Sequence, residues 1–166
     1  MKISRRKLLG LLLPSLILFS FIAVAQKPNF SGDWKLNEAK SELGEMGGRV
    51  ALSFKVDQKE NAITITRTTP GFGGGDPMTT TMTLTYDGKV TETEGFGGAI
   101  RKSTAKWSDD GQTLTVNSIM NLERDGQTME IKGNETWTLT KDGLLSVVTL
   151  SSSPRGEFTA KAVYNK

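Results

Sequence analysis

The stretch Asn29-Phe30-Ser31-Gly32-Asp33-Trp34-Lys35-Leu36 carries the clearest structural signal in this chain. Its apolar residues alternate with polar ones, which is the period-two pattern of a strand with one buried face. A short polar segment, residues 37–43, follows, and it is the only part of residues 26–166 that we predict to be helical, with Asn37 as its N-cap. The fold is therefore expected to begin with a strand and one short helix.

The same alternation, rich in Thr, Val and Ile, continues to the end of the chain. Asp-Gly pairs suit tight hairpin loops, and they occur at residues 87–88, 110–111, 125–126 and 142–143. Reading between the turn signals predicts about ten strands. They are residues 30–36, 49–57, 61–69, 78–86, 89–95, 99–107, 112–121, 127–140, 144–151 and 156–164.

Short turns between consecutive strands, without crossover helices, predict an antiparallel meander. Closing the meander into a barrel removes its exposed edges, so residues 26–166 are predicted to form one all-β domain. We expect a single antiparallel up-and-down β-barrel of about 8–10 strands, with one short helix after the first strand. An open sandwich is the structural alternative. An outer-membrane barrel is disfavoured because one strand face is mostly Thr, Lys, Glu and Asp.

Gly32-Asp33-Trp34 matches the Gly-x-Trp of lipocalins, and residues 29–36 resemble the first strand of the intracellular fatty-acid-binding proteins. The chain is thus similar to the calycin β-barrels and looks like a secreted bacterial lipocalin-like protein. The resemblance implies a closed barrel around one apolar ligand, with Gly32 and Trp34 as its structural motif. It also implies a ligand role for Tyr164, because the Arg-x-Tyr that grips a ligand carboxylate in the fatty-acid-binding proteins is Ala162-Val163-Tyr164 here.

Residues 1–25 have the features of a secretory signal peptide. A positively charged segment (residues 2–7) precedes an apolar run (residues 8–22), and Ala23-Val24-Ala25 provides a small-x-small cleavage site. We therefore predict export to the periplasm or the extracellular space, with no membrane span in the mature chain. A retained membrane anchor and twin-arginine export are the alternatives.

Composition excludes several function classes. Four of the 21 basic residues lie in residues 1–25 and all 18 acidic residues lie after it, so the remaining chain has a net charge of −1. We expect no nucleic-acid partner, because no basic stripe remains. The chain has no His and no Cys, which removes the usual transition-metal ligands and the Cys and His-assisted Ser nucleophiles. We predict no metal, no cofactor and no catalysis. Two carboxylate pairs, Glu92 with Glu94 and Asp109 with Asp110, are what an enzyme hypothesis would rest on.

Successive turns of a meander alternate between the two ends of the barrel. One end receives three Asp-Gly turns and the short turn at residues 59–61, and we expect it to be sealed. The other end receives the helical segment and two glycine-rich loops, residues 70–77 and 95–98, where the lipid-binding families have their portal. Phe72 and Phe96 are candidate apolar lips of this mouth. The alternative is that they fold back and cover the barrel end.

The alternation also predicts the interior. The inward-facing apolar residues are Val50, Leu52, Phe54, Val56, Met82, Leu84, Tyr86, Leu114, Val116, Met120, Phe158, Ala160, Ala162 and Tyr164. Trp34 is predicted to plug the base of the barrel beneath the cavity. Lys161 is the candidate cation over the Trp34 ring.

Three charged residues, Arg67, Arg101 and Glu135, also fall on inward-facing positions. A buried charge is costly unless it is paired or meets a polar ligand group. We therefore predict that Arg67 and Arg101 hold an acidic ligand group, with Tyr164 assisting. The alternatives are that an arginine reaches solvent at a strand end, that Glu135 pairs with one arginine, or that a bulge near Gly133 turns Glu135 outward.

These features favour an exported, non-catalytic carrier or scavenger of a small apolar or amphipathic molecule, with acidic lipid-like compounds as candidates. The alternative is a secreted protein-binding module, such as an inhibitor or an envelope assembly factor, on a barrel filled by its own side chains. The two hypotheses differ in whether the barrel is hollow.

Overall fold

The structure is a computed structural model, and it describes residues 26–46, 48–124 and 126–166. The predicted signal peptide, residues 1–25, lies outside the described residues. Within the described ranges, no helix has the length and apolar character needed to cross a membrane.

All ten predicted strands are present, with ends that differ from the prediction by a few residues. The strands are β1 Gly32–Leu36, β2 Ser53–Gln58, β3 Ala62–Thr69, β4 Met78–Thr85, β5 Thr91–Glu94, β6 Ile100–Trp107, β7 Leu114–Arg124, β8 Gln127–Leu139, β9 Leu145–Ser153 and β10 Gly156–Asn165. The alternation of apolar and polar residues was therefore a sufficient signal for every strand.

The ten strands form one antiparallel sheet in the order β4-β3-β2-β1-β10-β9-β8-β7-β6-β5. Pairing of β1 with β10, as at Leu36 and Tyr164, joins the two halves. The sheet curls so that β4 and β5 flank a seam, where the Thr91 hydroxyl donates to the Thr83 carbonyl oxygen at 3.1 Å. The predicted single up-and-down β-barrel is confirmed, and it is nearly closed rather than fully hydrogen-bonded around its circumference.

The segment predicted as a short helix forms two 3-10 turns, Glu38–Lys40 and Gly44–Met46. Asn37 caps the first turn, since its side-chain oxygen accepts a hydrogen bond from the backbone N–H of Lys40 at 3.1 Å. A longer helix does not form because Glu42 pairs with β10 instead: the backbone N–H groups of Glu42 and Lys161 each donate to the other's carbonyl oxygen at 2.8 Å.

The sealed end is filled by aromatic rings of the protein itself. Phe30 is fully buried and stacks on Trp107 with ring centroids 5.6 Å apart, and its edge meets Trp137 at 6.0 Å. The Trp34 indole N–H donates to the Phe30 carbonyl oxygen at 2.8 Å, and Gln58 accepts from the Phe30 N–H at 2.8 Å. The segment before β1 is therefore an integral plug of the barrel base.

The predicted interior is largely confirmed, with two corrections. Leu52 is 37% exposed and Ala51 is buried instead, because β2 begins only at Ser53 and the chain before it leaves the alternation. The cation over the Trp34 ring is Lys166, with its Nζ 5.6 Å from the ring centroid. The prediction of Lys161 is wrong because this side chain points outward from β10 and contacts Glu42 at 3.5 Å.

Candidate functional site

The half of the barrel nearer the glycine-rich loops contains a cavity of about 230 Å³. Three of the predicted ligand residues, Arg67, Arg101 and Tyr164, line it together. Arg67 comes from β3, Arg101 from β6 and Tyr164 from β10. Alternation along three distant strands thus places three sequence-predicted side chains at one site.

The floor of the cavity is an ion pair between Arg67 and Glu135. Arg67 Nη1 and Nη2 lie 2.7 Å from Glu135 Oε1 and Oε2, respectively, so the contact is bidentate. The Trp137 indole N–H also donates to Glu135 Oε2 at 3.1 Å, and the Arg67 guanidinium lies 5.1 Å from the Phe54 ring centroid. The alternative that Glu135 pairs with one of the arginines is therefore what the structure contains.

Glu135 points inward because β8 runs through Gly133 without a bulge. Gly133 pairs with Ser118 on β7 and with Ser151 on β9, and the register continues unbroken on both sides. The hypothesis that a bulge near Gly133 turns Glu135 outward is therefore wrong.

Burial and charge act in opposite directions on this pair. Burial alone raises the pKa of the Glu135 carboxyl, but the charge and hydrogen bonds of Arg67, with the Trp137 N–H, hold the net pKa below its ordinary value. Burial lowers the pKa of Arg67, and the charge and hydrogen bonds of Glu135 outweigh it and raise the net pKa. Both groups are consequently charged at neutral pH.

Arg101 is the inward-facing arginine that does not pair with Glu135. It projects from β6 beside Met120 of β7, and among the described residues its side chain has neither an ion-pair partner nor a hydrogen bond. Burial, followed by repulsion from Arg67, lowers the pKa of Arg101, and Glu135 only partly offsets this effect. Arg101 therefore presents an incompletely compensated positive charge to the cavity.

Tyr164 contributes its ring rather than a free hydroxyl. The hydroxyl donates to the carbonyl oxygen of Ala51 at 3.0 Å, which ties the segment before β2 to β10. The ring meets the Phe54 ring edge-on at 4.9 Å. Burial raises the pKa of Tyr164, so the side chain is a neutral, apolar part of the cavity wall.

The two predicted lip residues begin short turns at the mouth. Phe72 starts the 3-10 turn Phe72–Gly74 between β3 and β4, and Phe96 starts Phe96–Gly98 between β5 and β6. In both turns the glycine after the phenylalanine has a φ of 66°, a left-handed conformation that favours glycine. The side chains of Phe72 and Phe96 lie outside the described part of the structure, so their proposed role as lips stays a prediction.

The remaining predicted residues lie away from the cavity. Gly32 opens β1 with a φ of +137°, next to the Lys166 side chain, and Trp34 is 2% exposed. Glu92 is exposed on β5 and contacts Lys102 at 3.4 Å. Asp110 is held in its turn by the Ser108 hydroxyl at 2.5 Å. The carboxylate pairs thus belong to the exterior strand face and a turn.

One part of the site was missed by the sequence prediction. Small residues on adjacent strands, Ser103, Ser118, Gly133 and Ser151, form one inward-facing row, and the last three line the cavity. The signal was present in the sequence, because Ser103 follows Arg101 at the inward-facing spacing and Ser118 precedes Met120 in the same way. Inward-facing polar residues, and not only charged ones, therefore predict this row of small residues in the cavity wall.

No known protein family, curated protein or solved structure matches this chain.

Proposed function

We propose that this protein is a non-catalytic binding protein that holds one small amphipathic molecule, with an acidic group, in the mouth half of its barrel. The observation that carries the proposal is the incompletely compensated charge of Arg101 in a cavity of about 230 Å³. A partly buried cation without a partner is unfavourable, and an anionic ligand group is the natural partner for a guanidinium.

The charge balance around the cavity supports an anion. Four basic residues line it, Arg49, Arg67, Arg101 and Lys132, against one acidic residue, Glu135. Arg67 is matched by Glu135, and the exposed Lys132 is matched by Glu130 at 2.9 Å, so the positive surplus at the cavity rests on Arg49 and Arg101. The potential of the cavity therefore attracts anions and repels cations.

The apolar side of the cavity supports an amphipathic rather than a purely ionic ligand. Phe54, Val147 and Tyr164 line it, and each is at most 3% exposed. Apolar contact supplies most of the affinity in such pockets, while a few polar groups orient the ligand. Together with the predicted export signal, these features favour a carrier or scavenger outside the cytoplasm. The barrel and its Gly32-Asp33-Trp34 motif support a relation to the lipocalins and fatty-acid-binding proteins.

A second candidate function is protein binding, and one observation favours it. The strands β4 and β5, both fully described, are the two ends of the sheet order and do not pair with each other in a ladder. An extended segment of another protein can add to such an edge by backbone hydrogen bonds. The aromatic plug of the sealed end is compatible with either function.

Native mass spectrometry of the mature protein, purified from its own cells without detergent, tests the first proposal. We expect an added mass that disappears on denaturation, and we expect the Arg101→Met variant to lose it. Lys106→Met is the matched control, because Lys106 is exposed on the opposite face of the same strand. The proposal would be contradicted if the purified protein had the mass of the bare polypeptide and took up no compound from a pool of small organic acids.

A further inference from the structure

We infer that the ligand is a compact organic acid with a hydroxyl group at the end opposite its carboxylate, rather than a long-chain lipid. The inference rests on the proposed function and names the ligand class of the same cavity. It follows from the order of the side chains between the mouth and the floor of the cavity.

Along β6, β7, β8 and β9, polar residues lie deeper in the cavity than Arg101, and the deepest of them share a layer with the buried Ala105 and Val116. Arg101 pairs in register with Met120, which pairs with Ile131, and this layer lies nearest the mouth. The next inward-facing layer is the row Ser103, Ser118, Gly133 and Ser151, and below it lie Glu135 and Thr149. A molecule anchored at Arg101 and reaching inward therefore passes serine hydroxyls before it meets a buried ion pair.

Three hydroxyl groups that line this path, those of Ser118, Thr149 and Ser151, make no hydrogen bond among the described residues. Glu135 Oε1 accepts only one hydrogen bond, from Arg67, and retains acceptor capacity. The cavity thus offers both donors and an acceptor at depth, which a hydroxyl group satisfies because it donates and accepts.

An alkyl tail does not fit this arrangement. A tail that entered below Arg101 would lie against the serine row and the Arg67–Glu135 pair and would offer them no hydrogen bonds. Buried polar groups that are left without partners in this way are strongly unfavourable. In the opposite orientation, with the carboxylate at depth, the anion would lie beside Glu135 and leave Arg101 unmatched.

Size leads to the same conclusion. The cavity of about 230 Å³ is larger than the roughly 150 Å³ that accommodates benzene in an engineered protein, and smaller than the roughly 300–1,000 Å³ of pockets for drug-sized ligands. Phe30 and Trp107 occupy the sealed end and prevent a tail from extending further. A single ring or a short chain is the size that remains, with one face against Phe54 and Tyr164.

Isothermal titration calorimetry of the mature protein with three probes tests this inference: 4-hydroxybenzoate, benzoate and dodecanoate. We expect 4-hydroxybenzoate to bind about tenfold more tightly than benzoate, because its hydroxyl satisfies buried groups. We expect dodecanoate to bind more weakly than either aromatic acid. In a Ser118→Ala, Ser151→Ala double variant, the ratio of the affinities for 4-hydroxybenzoate and benzoate should fall towards one.

Ser152→Ala is the matched control for the double variant, since Ser152 is next to Ser151 and lies on the opposite face of β9. It should leave the preference unchanged. Equal binding of the two aromatic acids, or tightest binding of dodecanoate, would overturn the inference and leave the proposed function standing. Absence of binding for all three probes would overturn both.

Discussion

Arg67 and Glu135 are joined by two hydrogen bonds of 2.7 Å across the inside of the barrel, although four strands separate β3 from β8 in the sheet order. This contact does two things. It links opposite walls of the barrel, and it neutralises Arg67, which is one of the three arginines that line the cavity. Arg101 also faces the cavity and has no ion-pair partner among the described residues.

Removing one member of the pair should destabilise the fold strongly. Glu135→Leu leaves the Arg67 charge buried without its partner, and we expect a loss of about 3–5 kcal/mol in the free energy of unfolding. The double variant Arg67→Met, Glu135→Leu should recover most of this loss, because an apolar pair of similar size removes both desolvation costs. Urea denaturation of the single and double variants measures the coupling. A loss below about 1 kcal/mol for Glu135→Leu would show that the pair is not structurally important.

The same pair predicts a pH dependence of stability. The pKa of Glu135 is lower in the folded state than its ordinary value of 4.5, so the unfolded chain binds more protons in acid. The stabilisation is therefore complete at neutral pH and is lost as the pH falls below about 4.5 through the folded pKa. Asp87 and Asp110, whose pKa values are also lowered by hydrogen bonds, act in the same direction.

Comparison with the double variant Arg67→Met, Glu135→Leu isolates the contribution of the pair, since Asp87 and Asp110 are unchanged in it. Free energies of unfolding between pH 7 and pH 3 should fall more steeply in the wild type than in the double variant. Parallel curves would contradict the assignment of this pH dependence to Glu135.

The aromatic plug predicts a stability effect that is separate from ligand binding. Phe30→Ala should lower the free energy of unfolding by about 3–5 kcal/mol, because the ring is fully buried against Trp107 and Trp137. Leu150→Ala, at a position 44% exposed on β9, should change it by less than about 0.5 kcal/mol. Thermal or urea unfolding provides both values. Equal effects of the two substitutions would show that residues before β1 are not part of the core.

A larger side chain at Gly133 should fill the cavity without unfolding the barrel. Its inward-facing position lines the cavity, and a Cβ there would lie 2.8 Å from the Ser118 hydroxyl oxygen, which is a side chain able to move. We expect Gly133→Val to weaken ligand binding at least about tenfold and to retain the fold, since Val suits a strand. Thr136→Val, on the outer face of β8, is the control. Unchanged calorimetric affinity in Gly133→Val would place the ligand elsewhere.

Much of the fold was predictable from the sequence because strands with one buried face repeat a simple pattern. The positions of Arg67, Arg101 and Glu135 followed from the same parity. The position of Leu52 did not, because parity holds only inside a paired strand and Leu52 lies one residue before the start of β2 at Ser53. Alternation assigns a side chain to a face and carries no information about where a strand begins.

The partner of Glu135 inside the barrel could not be predicted from the sequence, for a different reason. Parity shows that Arg67 and Glu135 both face inward, but only the curvature of the sheet decides which strands lie opposite each other. The choice of Arg67 rather than Arg101 as the partner of Glu135 therefore required the three-dimensional structure. The prediction of Lys161 as the cation over the Trp34 ring was wrong for a similar reason. The lysine that reaches the ring is Lys166, which follows the last residue of β10, so strand parity does not place it.

Side-chain NMR of the mature protein labelled with ¹⁵N-arginine tests the central claim most directly. The Nε–H signal of Arg101, assigned with the Arg101→Met variant, should shift when the co-purified ligand or 4-hydroxybenzoate is added. The signal of Arg155, which is exposed in the turn between β9 and β10, should stay in place. A shift confined to exposed arginines, with Arg101 unaffected at saturation, would contradict the proposal that this barrel binds an anion in its interior.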